Sequence, residues 1–296
     1  MDEKKKNGTV IVGIAGWSYR DWEDVAYPKD EKDKLRYLSQ FVDLVEINTS
    51  FYRPVNPDIA RKWLRSVSHN PNFIFTAKLW QRFTHVYDEP YTRPEVEEFK
   101  QGLEPLMEPR KLGALLMQFP FYFRNSQEAK DLVARLSDDF ADFPKVIEVR
   151  DRSWNNLETF DFFRENGLSV ANLDMPRARD GFDRPVAPTG EIGYLRIHGR
   201  NYNAWFKKGA GRDEKYDYLY SEEEVDELMK RAEDIAEKAL KTYVIFNNHF
   251  RAKALVNSLQ IISRQLRRKV PVPWMLIDFF PELEKIAEPR PKETLF

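Results

Sequence analysis

Eight short apolar segments recur along this 296-residue chain, and most of them are separated by stretches with helical periodicity. Each segment is rich in β-branched or large apolar residues and ends in polar ones, which is typical of a strand buried in a parallel sheet. Strand–helix alternation repeated eight times predicts an α/β fold, a (β/α)8 TIM barrel, with a doubly wound open sheet as the alternative. The segments are 9–16, 43–50, 73–79, 112–120, 145–151, 168–174, 192–199 and 241–248.

The stretches between the strands predict helices, because their apolar residues recur at helical spacing. Pro94 suits the first turn of one helix, and Ser221 with Glu224 has the spacing of a capping box. Between Asp174 and Gly190, three prolines and no helical period predict a loop in place of the sixth helix. The predicted helices are 32–41, 58–68, 93–107, 126–140, 155–167, 221–240 and 251–268.

The chain shows no linker, so we expect a single domain over residues 1–296, with the apolar tail from Pro271 packing back on the barrel. The absence of cysteine excludes disulfides and zinc–thiolate sites. The apolar run near the start is too short for a signal peptide, and no apolar segment reaches the ~18 residues of a membrane span. The sequence therefore predicts a cytoplasmic protein with no membrane partner.

Polar residues alternate with apolar ones at the ends of the predicted strands. Successive side chains of a strand point to opposite faces, and the face that meets the helices must be apolar. The polar set should therefore face the barrel axis at the C-terminal end, where active sites of this fold lie. Seven strands contribute to it: Glu46, Asn48, Thr76, Lys78, Gln118, Glu148, Arg150, Asn172, Asp174, Arg196, His198 and Asn247.

The charges of this polar set balance, with three carboxylates and three cations, so the predicted interior is formally neutral. Cations at these positions would repel a metal ion, and a chain with four histidines is too poor in them for a trinuclear zinc site. We therefore expect no metal or other cofactor. The alternative is a divalent ion on Glu148, Asp174 and His198, which are ligand types that such ions accept.

The loops after these strands combine aromatic and basic residues. Residues 196–215 hold six basic and two acidic residues, an excess of four positive charges in a chain of net charge −1. Arginine beside aromatic rings is typical of surfaces that stack bases or sugars and pair phosphates. Barrels also often bind phosphate in the loops after strands 7 and 8. Five loop residues therefore join the predicted site: Trp17, Tyr19, His85, Trp154 and Arg200.

Seven motifs in this chain resemble the YecE-like family, also called domain of unknown function 72, over about residues 10–260. They are GWSYRDWEDVAYP, VEINTSFYRP, FTAKLWQRFTH, LLMQFPFYF, IEVRDRSW, LRIHGRN and VIFNN. The resemblance implies a TIM barrel and no settled activity. That fold is similar to endonuclease IV and the sugar isomerases, but this chain lacks the histidines of the first. Its eighth strand ends in Asn247 instead of a metal-binding carboxylate, so neither activity transfers.

Our first functional hypothesis is a site that binds or turns over a phosphorylated or otherwise anionic small molecule by metal-independent acid–base chemistry. Glu46 or Glu148 would act as general base and His198 as acid or base, with Asp174 as a further catalytic candidate. The residues assigned to the substrate or its anion are Trp17, Tyr19, Asn48, Lys78, His85, Gln118, Arg150, Trp154, Arg196, Arg200 and Asn247.

Two alternatives belong to other classes. One is a nucleic-acid-binding protein or nuclease that uses the basic aromatic rim, including Arg200, Lys207 and Lys208. The other is a metal-dependent sugar isomerase or hydrolase. The sequence leaves open the substrate, the oligomeric state and whether the protein is an enzyme, with hydrolase, lyase and isomerase as the classes considered.

Overall fold

A computed structural model describes residues 8–86, 89–176 and 188–289, and a parallel sheet forms its centre. The nine strands are β1 (Thr9–Ala15), β2 (Leu44–Ile47), β3 (Ile74–Lys78), β4 (Leu112–Gln118), β5 (Lys145–Glu148), β6 (Leu168–Val170), β7 (Asn172–Asp174), β8 (Ile192–Ile197) and β9 (Lys241–Phe246). Their order in the sheet is β6-β5-β4-β3-β2-β1-β9-β8-β7. All eight predicted strand segments are present, and the sixth is divided between β6 and β7.

The two ends of this sheet are consecutive in the chain and are separated only by Ala171. β6 pairs with β5 and β7 pairs with β8, so the chain itself joins the ends and closes the barrel. The predicted TIM-barrel fold is therefore confirmed, and the alternative of a doubly wound open sheet is wrong.

Helices connect most of the strands. They are α1 (Lys34–Leu38), α2 (Pro57–Ser66), α3 (Gln81–Thr84), α4 (Arg93–Met107), α5 (Gln127–Asp139), α6 (Leu157–Glu165), α7 (Tyr202–Phe206), α8 (Arg212–Tyr216), α9 (Glu222–Ala236), α10 (Lys253–Leu266) and α11 (Trp274–Phe279). Short 3-10 helices are Arg20–Trp22, Thr49–Phe51, Arg152–Trp154, Phe250–Ala252 and Pro281–Lys285. The seven predicted helices correspond to α1, α2, α4, α5, α6, α9 and α10. The predicted loop in place of a sixth helix falls mainly on 177–187, which lie outside the described residues.

Two apolar clusters stabilise the barrel, because most strand residues are buried, on both faces of the sheet. Between strands and helices lie residues such as Val45, Ile47 and Leu195, all fully buried. The barrel interior holds a second cluster that includes Leu116 and Val146. The outer cluster extends over the C-terminal tail, where Leu276 and Leu283 of the described residues are fully buried.

No helix within the described ranges is long and apolar enough to cross a bilayer.

Candidate functional site

A cavity of about 470 Å³ opens at the C-terminal ends of the strands. This is the end at which the loops of a TIM barrel build binding sites. Nine of the fifteen predicted site residues line it: Trp17, Tyr19, Asn48, Lys78, Gln118, Arg150, Arg196, His198 and Asn247.

Arg196 forms the floor of the cavity and is 1 % exposed. Its Nε lies 3.0 Å and its Nη2 2.8 Å from the two carboxylate oxygens of Glu46. Its Nη1 lies 2.5 Å from Oε2 of Glu148 and 3.4 Å from Oε1 of Gln118. Bidentate, charge-assisted pairing of this kind fixes both partners in orientation. Strands β2, β4, β5 and β8 are thereby tied together across the barrel axis.

The two predicted general bases, Glu46 and Glu148, lie beneath Arg196 and are fully buried. Glu46 also accepts the Tyr194 hydroxyl at 3.0 Å, and Oε1 of Glu148 accepts Nε and Nη2 of Arg150 at 2.8 and 2.5 Å. Every oxygen of both carboxylates therefore has a donor. Burial alone would raise the pKa of Glu148, but the charges of Arg196 and Arg150 outweigh burial and hold this pKa well below its usual range.

Lys78 extends from the end of β3 into the cavity, and part of its side chain is accessible there. Its Nζ lies 4.2 Å from the centre of the Phe51 ring. Among the described residues, no carboxylate or other acceptor contacts this ammonium group. Burial, followed by the charge of Arg196, lowers the pKa of Lys78 to about 8, although Glu46 and Glu148 partly oppose the shift.

His198 is fully buried and borders the cavity at the end of β8. Its Nδ1 lies 3.1 Å from the side-chain nitrogen of Asn247, and its Nε2 contacts no hydrogen-bonding group of the described residues. Burial, with the charge of Arg196, keeps the pKa of His198 well below its usual value, so the ring is neutral. With Asn247 donating to Nδ1, Nε2 carries the proton of the neutral ring.

Tyr19 and His249 form another side of the cavity, with ring centres 4.6 Å apart and planes at 9°. The Tyr19 hydroxyl donates to the carbonyl oxygen of Ala15. Trp22 donates from Nε1 to the carbonyl oxygen of His249 at 2.6 Å, which fixes the loop after β9. Burial, with the charge of Arg212, lowers the pKa of His249 to about 4, so this ring is neutral at pH 7.

The prediction that Asn172 and Asp174 face the barrel axis is wrong. In the register of β7 and β8, Leu173 pairs with Arg196 and Asp174 pairs with Ile197, so Asp174 lies on the helix-facing side. There its carboxylate accepts the Tyr220 hydroxyl at 2.6 Å and the Arg200 guanidinium at 2.9 and 3.0 Å. Neutrality of the polar set is consequently wrong as well, because two carboxylates face three cations on the axis.

Trp154 and Arg200 were also predicted to contact the ligand, and the structure places both elsewhere. The Arg152–Trp154 turn directs Trp154 into the helix-facing core, where its Nε1 donates to the carbonyl oxygen of Phe123 at 2.8 Å. Arg200 turns outwards with Asp174, because acidic side chains of α9 and β7 surround it there.

His85 lies beside the cavity instead of in its wall. Its Nδ1 is 2.8 Å from the Thr84 hydroxyl, and its ring packs edge-on against Phe51 at 5.0 Å. Burial, with the charge of Lys78, lowers the pKa of His85 to about 4. Phe51 therefore contacts both His85 and Lys78, and His85 stabilises the site by packing against Phe51.

Sequence reasoning missed several wall residues. His249 had a usable signal, because it follows Asn247 by two positions and so continues the alternation of β9. Trp63 had none, since it projects from α2 and reaches the mouth by packing edge-on against Trp17 at 5.3 Å. The other missed wall residues with large side chains are Tyr52, Arg212 and Tyr216.

The wall of the cavity is positively charged. It contains Lys78, Arg150, Arg196 and Arg212, and none of the described residues that line it is a carboxylate. The trio proposed as metal ligands is not assembled, because Asp174 faces away from His198 and the oxygens of Glu148 are occupied. Nor does any group of three or more acidic or histidine side chains within the described ranges have the geometry of a metal site.

Comparison with known proteins supports this fold. The chain is 27% identical over 268 residues to the UPF0759 protein YunF of Bacillus subtilis strain 168, an alignment covering 86% of this chain and 94% of that protein. A crystal structure of a DUF72 family protein from Thermotoga maritima has a TM-score of 0.76 at 31% identity, covering 88% of this chain and 100% of that one. A DUF72 family protein from Enterococcus faecalis has a TM-score of 0.79 at 24% identity, covering 90% and 98%.

The family described as "Protein of unknown function DUF72" matches residues 11–275, which include all the described strands except the first two residues of β1, and the whole wall of the cavity. That match agrees with the resemblance of the motifs. The chain therefore belongs to the DUF72 family.

Proposed function

We propose that the cavity binds a small molecule with an anionic group, such as a phosphate ester or carboxylate, and supports metal-independent chemistry on it. One observation carries this proposal: the cavity wall has four cations and no carboxylate among its described residues. Lys78 is the key member of the four, because no carboxylate among the described residues forms an ion pair with its ammonium group. An anion near it would relieve the cost of burying that charge.

The other cations of the wall differ in how free they are. Arg196 and Arg150 form ion pairs with Glu46 and Glu148. They therefore contribute a positive electrostatic potential and a fixed cavity shape more than new hydrogen bonds to a ligand. Arg212 is 64% exposed at the cavity entrance and lies 3.3 Å from Asp213. We therefore place the anion next to Lys78, with Arg150 beside it and Arg212 attracting ligands at the entrance.

Aromatic rings and amides make up the rest of the wall. Trp17, Trp63 and Tyr216 offer flat apolar faces, which stack on sugars and other rings. Three amide side chains can position hydroxyl groups, since each amide both donates and accepts. They are Asn48, Gln118 and Asn247. The ligand we propose therefore combines an anionic group with a hydroxylated or planar body.

Within this proposal, His198 is a better acid–base candidate than either carboxylate. His198 lines the cavity, and its Nε2 is buried and unpartnered among the described residues. Glu46 and Glu148 already accept hydrogen bonds at every oxygen, so the general-base role of these two residues stays a prediction that the geometry does not favour.

Calorimetric titration with glucose 6-phosphate, and with glucose as the matched neutral ligand, tests the proposal. We expect the phosphate ester to bind and glucose to bind at least tenfold more weakly, a difference of about 1.4 kcal/mol. Lys78→Met should remove the difference between them. Lys207→Met is the control, because Lys207 is exposed and paired with Glu214 at 2.7 Å. Equal binding of both ligands, or unchanged binding in Lys78→Met, would overturn the proposal.

Nucleic-acid binding stays a prediction and has weaker geometric support. Arg200 contacts Asp174, Glu224 and Glu227, so the rim offers less free positive charge than the sequence indicates. A salt-dependent complex with a single-stranded oligonucleotide, weakened by Lys207→Met and Lys208→Met, would favour that alternative.

A further inference from the structure

We propose that Lys78 is a nucleophile that forms an imine with a carbonyl group of the bound anion. This inference rests on the proposed function and narrows its ligand to an anionic aldehyde or ketone. It assigns Lys78 a covalent role in addition to attraction of charge.

The surroundings of Lys78 are typical of a reactive amine and differ from those of a lysine that stabilises the fold through an ion pair. The buried Arg196 and the half-buried Arg150 beside it have carboxylate partners at 2.5–2.8 Å. Lys145, which is buried elsewhere on β5, donates to the carbonyl oxygen of Ser137 at 3.0 Å. Lys78 instead lines a cavity that opens to solvent, and its Nζ lies over the ring of Phe51, 4.2 Å from its centre. A lysine kept for structure would gain from a carboxylate, and none contacts Lys78 among the described residues.

Desolvation beside cations also increases the fraction of free amine. Burial, followed by the charge of Arg196, lowers the pKa of Lys78 from 10.5 to about 8. At neutral pH this raises the neutral fraction on the order of a hundredfold over an ordinary lysine, since each pKa unit is a factor of ten. Lysines desolvated next to another cation are activated for carbonyl chemistry in this way.

His198 supplies the matching donor. His198 lines the same cavity, and its Nε2 is buried and contacts no acceptor in the described part of the chain. Since the ring is neutral and Asn247 contacts Nδ1, the Nε2 proton is the one left to donate to a ligand oxygen in this proposal. Donation to a carbonyl oxygen makes its carbon more electrophilic and stabilises the negative charge that develops on the oxygen.

The covalent step is balanced without a further reactant. The free electron pair of Nζ forms a bond to the carbonyl carbon, and the C=O π pair moves to the oxygen, which becomes a hydroxyl group. Loss of that hydroxyl as water, with one proton, leaves a C=N bond to Lys78. Overall, the lysine ammonium ion and the carbonyl compound give a protonated imine and water, and nothing is oxidised or reduced.

Borohydride trapping tests the inference on the full chain. The protein is incubated at about pH 8 with glyoxylate, an anionic aldehyde, or with glycolaldehyde, its uncharged counterpart, and is then reduced with borohydride. Reduction converts an imine to a stable secondary amine that peptide mass spectrometry locates. We expect glyoxylate to label Lys78 at least tenfold more than the exposed Lys207 and Lys208. Lys78→Arg, which keeps the charge but cannot form this imine, should lose the label.

The outcomes separate this inference from the proposed function. If glucose 6-phosphate binds but neither aldehyde labels Lys78, the imine is wrong and anion binding stands. If Lys78 is labelled equally by both aldehydes and glucose 6-phosphate does not bind, anion binding and the anionic substrate are wrong, and only the nucleophilic role of Lys78 stands. Labelling of Lys78→Arg to the wild-type extent overturns the inference. Lys78→Met serves as a second variant, and near-ultraviolet circular dichroism verifies that both variants are folded.

Discussion

Arg196 donates to two buried carboxylates on opposite sides of the barrel axis, Glu46 and Glu148. Charges removed from water are costly, and such a group remains favourable only while its members satisfy one another. Tyr194 and Arg150 complete the hydrogen bonding of the two carboxylates. The group therefore holds the cavity floor rigid, which is the purely structural role that buried ion pairs can have.

Arg196→Met should destabilise the protein by about 3–5 kcal/mol, because it leaves two buried carboxylates without their main partner. The measurement is urea unfolding at neutral pH. Arg212→Met is the control, since Arg212 is largely exposed and its loss should change stability by under about 0.5 kcal/mol. A loss below about 1 kcal/mol in Arg196→Met would show that the carboxylates find other partners or become protonated without penalty.

Lys78→Met should stabilise the protein while removing its affinity for glucose 6-phosphate. The folded state lowers the pKa of Lys78 to about 8 from 10.5, so keeping this side chain protonated opposes folding. The expected gain at pH 7 is about 1–3 kcal/mol, discounted for the accessible part of the side chain.

The sign of the pH dependence follows from the same shift in Lys78. Between the folded pKa near 8 and the unfolded pKa of 10.5, the unfolded state binds more protons, so wild-type stability rises with pH. The stability difference between Lys78→Met and wild type should therefore shrink above pH 8. Urea unfolding at about pH 7 and pH 10 measures it, and a constant difference would contradict the inferred burial cost.

Among the loops, the turn after β1 positions two wall residues through one glycine. Gly16 has φ = +77°, and a Cβ there would lie 2.8 Å from the Tyr19 hydroxyl and 3.3 Å from Nδ2 of Asn48. Both of those residues line the cavity. The glycine is thus required both by its backbone conformation and by close approach.

Gly16→Ala should cost about 1–2 kcal/mol from the left-handed backbone and should also weaken glucose 6-phosphate binding by displacing Tyr19. Gly167→Ala is the matched control, because its φ is +63° but no atom of the described residues would lie within 4 Å of a Cβ there. We expect the control to lose similar backbone stability and to keep its affinity. Thermal unfolding with calorimetry distinguishes the two, and equal affinity in both variants would show that Tyr19 adjusts freely.

Strands and long helices followed from the sequence because their apolar periodicity reflects burial directly. The sequence did not predict which residues of the sixth strand face the axis, because polar residues were assumed to do so. Asp174 instead forms ion pairs with Arg200 and Arg231 on the helix-facing side. The short helices α7 and α8 also escaped prediction, because helices of one turn depend on tertiary packing more than on propensity. For the same reason Arg212, at the start of α8, was not recognised as part of the wall.

For the molecule as a whole, the excess positive charge at the mouth makes ligand affinity depend on pH and salt. Glucose 6-phosphate should bind less tightly above about pH 8, where the Lys78 ammonium group loses its proton. Added salt should weaken binding further, since the entrance is within reach of screening ions. Lys78→Arg is the control, because its guanidinium stays protonated and its affinity should be flat from about pH 7 to 9. Calorimetry across this range measures both effects, and a pH-independent wild type would exclude Lys78 as the principal anion contact.

The division of the sixth strand at Ala171 determines where the barrel should open transiently. β6 is bonded to β5 and β7 to β8, but no backbone ladder joins β6 to β8 within the described residues. The circle of interstrand hydrogen bonds is thus completed by a covalent junction. Separation of the two sides there breaks no ladder, so this is where transient openings should cost least. In native-state hydrogen exchange, the amides of 168–174 should exchange faster than those of β1 and β9. Solvent should enter the barrel interior first beside Leu173.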